Sequence, residues 1–302
     1  MFTWRTSLII PTRNRSKQLI DLLNSLFILK LRFSEILIID SSKNYHSKKI
    51  KLYCKKKKIN YFFTKPSTSY QRNIGLKKAK PHSFIMFMDD DVIFLKDTFI
   101  KMNKCIIKNK NNPKIAGFGF NQIQNIKENI LEKIKKIKFI EKVNIYPNRP
   151  GQVAKSGWHS KILNLKKDIL ADWVFTTICI FKKEEIKGFK FDETFGQYSY
   201  LEDLDFSLNL KKKNKKIYIS STAKFKHPAN IDRSSFNFGV IEIKNRFKIV
   251  NKHNLSKKYF VLGCIIRLMI SILKSISFNQ KYFFRAVGNI YSFFILFKNN
   301  LN

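Results

Sequence analysis

With 302 residues, 44% hydrophobic and 14% aromatic, the chain is too apolar to be disordered, and it has room for one large α/β domain with an appendage or for two smaller domains. Lys and Arg number 59 against 21 Asp and Glu, a formal net charge of +38 that favours nucleic acid, anionic membrane or polyanionic substrates as partners. Cys54, Cys105, Cys179 and Cys264 lie far apart with no C-x-x-C, which argues against a zinc knuckle or a disulfide framework and fits a reducing compartment.

Ser7-Leu8-Ile9-Ile10 reads as a short apolar strand closed by Pro11. Leu19, Leu22, Leu23, Leu26 and Phe27 then trace the stripe of an amphipathic helix, with Ser16 expected as its N-cap. Ile36 to Ile39 predicts a second buried strand ending in Asp40, Ile59 to Phe63 a third, Gln71 to Lys80 a helix, and Phe84 to Met88 a fourth strand. Such alternation predicts a doubly wound parallel sheet with right-handed crossovers. Leu95, Phe99, Met102 and Ile106 mark another helix. Phe120 to Lys167 is less regular, with a Lys/Ile-rich helix expected near Ile126 to Ile140 and a flexible loop between Gly151 and Gly157. Val174 to Phe181 is an apolar strand, Glu202 to Leu210 starts a helix, and Ile217 to Ser220 is a last short strand.

From about Phe236 the pattern turns helical, apolar and basic, as in Arg267-Leu268-Met269-Ile270-Ser271-Ile272-Leu273-Lys274. No uncharged apolar run reaches the ~20 residues a spanning helix needs, since Arg267 and Lys274 interrupt the nearest, so a clean transmembrane anchor is not expected. The start, Met1 to Arg5, lacks the charged end and apolar core of a signal peptide. The tail instead suits helices lying in the plane of an anionic bilayer, or a helical cap on the core, or a dimer interface.

The first glycine is Gly75, so no glycine-rich phosphate loop stands at an early strand-to-helix turn. Neutralising a diphosphate in such a sheet then falls to a metal and basic side chains. Asp89, Asp90 and Asp91, at the exit of a buried strand, are hard oxygen ligands for that metal, with Arg72 or lysines assisting. Helix capping is the plainer account of one such aspartate; three in a row repel unless a cation sits among them. Asp40 stands where an acid accepts bonds from a ribose hydroxyl or a base N–H, or simply turns the chain before Ser41-Ser42. In Glu202-Asp203-Leu204-Asp205, Glu202 and Asp205 share a helix face and Asp203 points elsewhere. Two acidic clusters in so basic a chain suggest a divided task, one holding metal and one taking a proton.

In order and spacing, Ile9 to Arg15, Ile38 to Ser42, Gln71-Arg72-Asn73-Ile74-Gly75, Met88 to Val92, Ala171-Asp172-Trp173, Phe191 to Phe195 and Glu202 to Asp205 resemble a family 2 glycosyltransferase across roughly residues 5 to 230. The resemblance is to the non-processive, bacterial cell-envelope type. It implies the GT-A fold, a Rossmann-like, doubly wound, mostly parallel α/β sheet, followed by a C-terminal helical, membrane-associating segment. Residues 1–235 would form the transferase domain, with 1–110 the nucleotide-binding half and 111–235 the acceptor half, and 236–302 a basic amphipathic tail. By position it implies nucleotide-sugar contacts from Pro11, Arg13, Asp40, Arg72, Asp89 and Asp90, and Mg²⁺ or Mn²⁺ held by Asp91, Asp89 and His227. Asp203 would be the general base, with Glu202 beside it, and Trp173 would wall the acceptor or sugar pocket. Structural roles for His227, a lone histidine, and for Trp173, an apolar core residue, stay open.

Asn209 stands where the family usually has an arginine, and Thr176-Thr177 where a glycine often follows the tryptophan. Gln280 to Arg285 does not match the Q-x-x-R-W of processive relatives, which favours transfer of a single sugar. The expected partners are a nucleotide-sugar donor, UDP-linked by preference, and a saccharide or lipid-linked acceptor in envelope polysaccharide or lipooligosaccharide synthesis. An anionic membrane surface at the cytoplasmic face would be a third, with no specific nucleic acid. The alternatives are a polyprenyl-phosphate glycosyltransferase or nucleotidyltransferase on the same fold, a non-catalytic relative, or a basic nucleic-acid-binding protein. The last explains the lysines but neither acidic cluster.

Overall fold

A computed structural model of the chain describes residues 4–125, 145–228, 232–277 and 279–298. It divides into two compact units, Met1–Gln124 with Ile162–Pro228, and Asn125–Lys161 with Ala229–Asn302. The division therefore falls a few residues before the expected 235/236 boundary, and residues 145–161 group with the C-terminal helices. The helix expected near Ile126 to Ile140 lies outside the described residues.

The first unit begins β1 (Thr6–Thr12), α1 (Ser16–Ile28), β2 (Glu35–Asp40), α2 (Asn44–Lys57), β3 (Asn60–Phe63), α3 (Thr68–Lys78) and β4 (Phe84–Met88). It continues with β5 (Ile93–Phe94), α4 (Thr98–Asn109), β6 (Ile115–Gln122), β7 (Ile169–Ala171), β8 (Ile178–Lys182), α5 (Glu202–Lys212) and β9 (Lys216–Lys226). One sheet runs β3-β2-β1-β4-β8-β6-β9-β5, with β7 added on β9. The pairs β1–β2, β1–β4 and β2–β3 are parallel, as the strand–helix alternation predicts. Beyond β4 the pairing turns antiparallel at β8, and only β6–β9 is parallel again.

β1 and β4 are buried along their whole length, which is why they read as unbroken apolar runs. α1 buries Leu19, Leu22, Leu23 and Leu26 against them, each such side chain contributing roughly 1.5–3 kcal/mol of transfer free energy. Ser16 is not the N-cap: it is the first helical residue, and its hydroxyl hydrogen-bonds with His46 Nδ1 at 2.9 Å. α2 escaped the apolar pattern because it buries only Ile50 and Cys54 and otherwise shows lysines to solvent. β6 was missed for another reason. Its Gly117 and Gly119 interrupt the apolar run, yet a Cβ at either would run into the neighbouring strands, at the Ile180 carbonyl and the Ile219 side chain.

The second unit holds α6 (Phe236–Lys252), α7 (Lys257–Ser277) and α8 (Lys281–Lys298). Tyr146 donates to the Gly263 carbonyl at 2.9 Å and Trp158 stacks on Phe260, which ties the segment before residue 161 to α7. α6 and α8 cross closely at Gly239 and Gly288, whose missing side chains leave room for the opposing backbone. Beside that crossing Glu242 is fully buried, paired with Arg267 at 2.7 Å and Arg285 at 2.8 Å. By length and composition α7 is long and apolar enough to cross a membrane, although Arg267 and Lys274 interrupt its apolar run.

Candidate active site

The parallel strands β1, β2 and β4 end on one edge of the sheet, and their order places β4 on the opposite side of β1 from β2 and β3. The strand order reverses at β1, with β2 on one side and β4 on the other, which makes the carboxyl ends of β1 and β4 a topological switch point, where open α/β sheets bind ligands. Thr12, at the end of β1, donates its hydroxyl to Asp90 Oδ2 at 2.6 Å across this point.

The three consecutive aspartates fan out onto Arg72, Arg15 and His227. Asp89 Oδ1 accepts from Arg72 Nη2 at 3.0 Å. Asp90 Oδ1 and Asp91 Oδ2 share Arg15 Nη1, at 3.2 and 2.7 Å. Asp91 Oδ1 faces His227 Nε2 at 2.9 Å, brought there from just beyond β9. This division relieves the mutual repulsion that three neighbouring carboxylates would suffer. Burial still pushes Asp90 up to about 6, against its bonds to Thr12 and Arg15. Burial also pushes Asp91 up, but the His227 and Arg15 partners outweigh it and hold the carboxyl below its ordinary range. For His227 burial lowers and Asp91 raises, and the net shift is upward.

Arg72 joins the two acidic clusters. Its side chain is 3% exposed, lies over the Phe191 ring, and ion-pairs with Asp89 on one side and Glu202 on the other. Burial would lower its pKa, but Glu202, Asp89 and Asp203 raise it further, so the guanidinium stays charged. Burial pushes the Glu202 carboxyl up, while Arg72 pulls it down. Glu202 and Asp205 are buried at the start of α5, and Asp203 stands half-buried between them, its Oδ1 accepting from the Leu204 N–H at 2.7 Å.

The other sequence-derived positions scatter more widely in role. Asp40 is fully buried, its oxygens accepting from the Ser42 N–H at 2.8 Å and the Tyr61 hydroxyl at 2.9 Å, so it holds the turn after β2. Pro11 is buried within β1, and Arg13 is exposed in the loop after it. Trp173 is buried edge-on to Phe175, and Asp172 beside it is held by Lys211 and Lys216 at 2.8 and 2.5 Å.

The donor set at the switch point limits how Mg²⁺ or Mn²⁺ could be held. Asp91 Oδ1 is buried and accepts no well-aligned hydrogen bond, although His227 Nε2 stands 2.9 Å away. Adjacent ligands of an octahedral cation with ~2.1 Å bonds lie roughly 3 Å apart, so this oxygen–nitrogen pair fits a shared ion. Among the described residues no three His, Cys, Asp or Glu side chains converge, and Asp89 is turned to Arg72. A site of one carboxylate and one imidazole suits a cation that completes its shell on substrate phosphates.

The sequence profile of Glycosyl transferase family 2 matches residues 7–156, the stretch that carries β1, β4 and the aspartates. The chain belongs to glycosyl transferase family 2. Two curated relatives, uncharacterized glycosyltransferases of Rickettsia felis and Rickettsia conorii, are each 34% identical to this family 2 chain over 123 residues, covering 38% of it. The chain spans 20% of the length of these curated relatives. In fold it is similar to GalNAc-T7 solved with UDP, GalNAc and Mn²⁺, at a TM-score of 0.56 and 14% identity over 85% of this chain and 56% of that one. It is also similar to the mannosyltransferase PcManGT of Pyrobaculum calidifontis, in complex with GDP-Man and Mn²⁺, at 0.53 and 12% identity over 96% of this chain and 88% of that one. The fold of the family 2 unit is therefore GT-A.

Sequence reasoning assigned no role to three residues that build this family 2 site. Arg15 was visible only as the end of a motif, and its partners lie 75 and 76 residues away. Gln71 donates to the carbonyls of Thr12 and Ile39 at 2.9 and 2.6 Å, stitching the ends of β1 and β2. Asn14 accepts from the Lys43 N–H at 2.8 Å and donates its own N–H to Ser42 Oγ at 2.7 Å, fixing the two loops to each other. The one available signal was polarity, since each polar residue sits at or just beyond an apolar strand or at a helix start.

Proposed function

We propose that this chain is an inverting, metal-dependent glycosyltransferase that moves one sugar from a nucleotide-sugar donor to a saccharide or lipid-linked saccharide of the cell envelope. The observation that carries the proposal is the split of the carboxylates at the switch point. Asp91 Oδ1 faces His227 Nε2 at 2.9 Å, while Asp89 and Glu202 are clamped on Arg72 with Asp203 half-buried beside them. The absence of Q-x-x-R-W supports transfer of a single sugar. The apolar C-terminal helices support a lipid-linked acceptor.

In this reading Asp91 and His227 hold the cation, which when bound supplies charge neutralisation for the departing nucleoside diphosphate. Arg15 and Thr12 fix Asp90 and Asp91 relative to the end of β1. The acceptor oxygen bonds to the anomeric carbon as the bond to the diphosphate breaks on the opposite face, and Asp203 takes the hydroxyl proton. Such general-base assistance is worth about 10²–10⁴-fold. Arg72 is a positioning residue, holding Asp89 and Glu202 at fixed separation.

Thermal stabilisation of the purified protein by UDP, GDP, dTDP and CMP, each with and without Mn²⁺, tests the proposal. The expected result is stabilisation by one nucleotide that requires Mn²⁺ and disappears in Asp91→Asn. UDP is the first to try. Failure of all four would overturn the transferase reading.

A further inference from the structure

In α8 the usual arrangement of a helix on a water-soluble protein is reversed. The side buried against α6 carries Arg285, Ala286, Asn289 and Ser292, with Gly288 at the crossing. Arg285 and Asn289 both reach Glu242, and Asn289 also donates to the Gly239 carbonyl. The opposite side shows Phe283, Phe284, Val287, Ile290, Tyr291 and Phe294 to solvent, Phe284 at 59% and Phe294 at 69%. α7 repeats the pattern in weaker form, with Ile265, Met269, Ile272, Leu273 and Ile276 exposed at i, i+4, i+7, i+8 and i+11. Both stripes have helical periodicity, so each is a continuous face and not scattered apolar residues. Exposed apolar surface of this extent marks an interaction site.

Charge identifies the occupant. Glu242 is the last acid of the chain, and the 60 residues after it contain eleven Lys or Arg. Lys257, Lys258 and Lys274 mark the two ends of α7, and Lys281 and Lys298 the ends of α8. A second copy would bring one acid-free, basic-flanked face against another. An anionic lipid surface satisfies both features, with acyl chains for the aromatic and aliphatic stripe and phosphates for the lysines. Depth is limited by α6, which is packed on α8 and exposes Lys244, Asn251 and Lys252. A spanning hairpin would drag those groups into hydrocarbon.

We propose that the exposed faces of α7 and α8 form a docking surface for an anionic bilayer, with the helices lying in the lipid interface. The surface is independent of the glycosyltransferase reading, and its test needs no turnover. The full chain is floated with vesicles of neutral phosphatidylcholine and with vesicles also containing phosphatidylglycerol. The expected result is flotation with the anionic vesicles, weak flotation with the neutral ones, and at least a ten-fold loss for Phe284→Glu combined with Phe294→Glu. Leu52→Glu, at a 71% exposed position of α2, should float like the unaltered protein. As a check that does not depend on lost binding, Tyr291→Trp should gain a blue-shifted fluorescence component when anionic vesicles are added. The proposal is overturned if the unaltered protein stays with the unbound fraction, or if the double variant floats equally well. It is also overturned if the two glutamates convert a vesicle-free dimer to monomer, which would assign the face to a second copy.

Discussion

Arg72 has almost no exposed surface and holds a carboxylate on each side, so its replacement reaches both acidic clusters. Arg72→Ala would leave Asp89 and the buried Glu202 without their counter-charge, a loss of about 3–5 kcal/mol in urea denaturation. Arg72→Lys should recover only part of that, since one ammonium cannot reproduce a two-sided guanidinium fork. Asp203 is the contrast. It is half-buried, and an asparagine keeps its shape and the acceptor for the Leu204 N–H, so Asp203→Asn should keep stability within roughly 0.5–1 kcal/mol while turnover falls by about 10²–10⁴-fold. The pair of measurements separates positioning from proton transfer; equal losses of stability in the two variants would contradict the assignment.

At the scale of elements, α3 does more than its short length suggests. Its Gln71 reaches the ends of β1 and β2, its Arg72 reaches Asp89 and Glu202, and its Asn73 pairs with both backbone groups of Phe191. Three consecutive side chains thus fasten one helix to the strand ends and to the segment before α5. Glycine sets the approach of other elements. In the second unit, Gly288→Ala would push a methyl into the Phe236 carbonyl and separate α6 from α8. The expected cost is ~1–3 kcal/mol, read as a lower denaturation midpoint, as for other overpacked contacts. No change in midpoint would mean that the crossing is looser than described.

Across the whole molecule the basic excess is large, and one buried acid of the second unit, Glu242, is surrounded by arginines. Glu242 is buried, which would raise its pKa, yet Arg267, Arg285 and Arg246 hold it well below the ordinary carboxylate range. A depressed folded-state pKa contributes stability that is complete above the unfolded value, about 4.3 for glutamate, and is lost as pH falls below it. Urea midpoints taken from about pH 7 down to about pH 3 should therefore decline on the acid side. Glu242→Gln should lower the midpoint at neutral pH, by leaving buried arginines unpaired, and should make the acid decline shallower. Parallel curves for the two proteins would exclude Glu242 as a source of the acid sensitivity.

The sequence by itself determined the parallel half of the sheet and the position of the aspartates at a strand exit. Buried strands such as Leu8 to Ile10 and Phe84 to Met88 are apolar whatever surrounds them, and aspartates at a strand exit keep their place when the strand forms. The order of the motifs was likewise a property of the chain, and it was enough to indicate the family. Tertiary structure alone decided which partner each aspartate meets, because Arg15, Arg72 and His227 are distant from them in sequence or sit on other elements. It alone turned Asp40 inward to a turn and Trp173 into the core, since burial depends on what packs against a residue. It also showed that α8 hides its polar side and exposes its apolar one. Composition is blind to that choice, because the same side chains satisfy either orientation until Glu242 draws Arg285 and Asn289 inward.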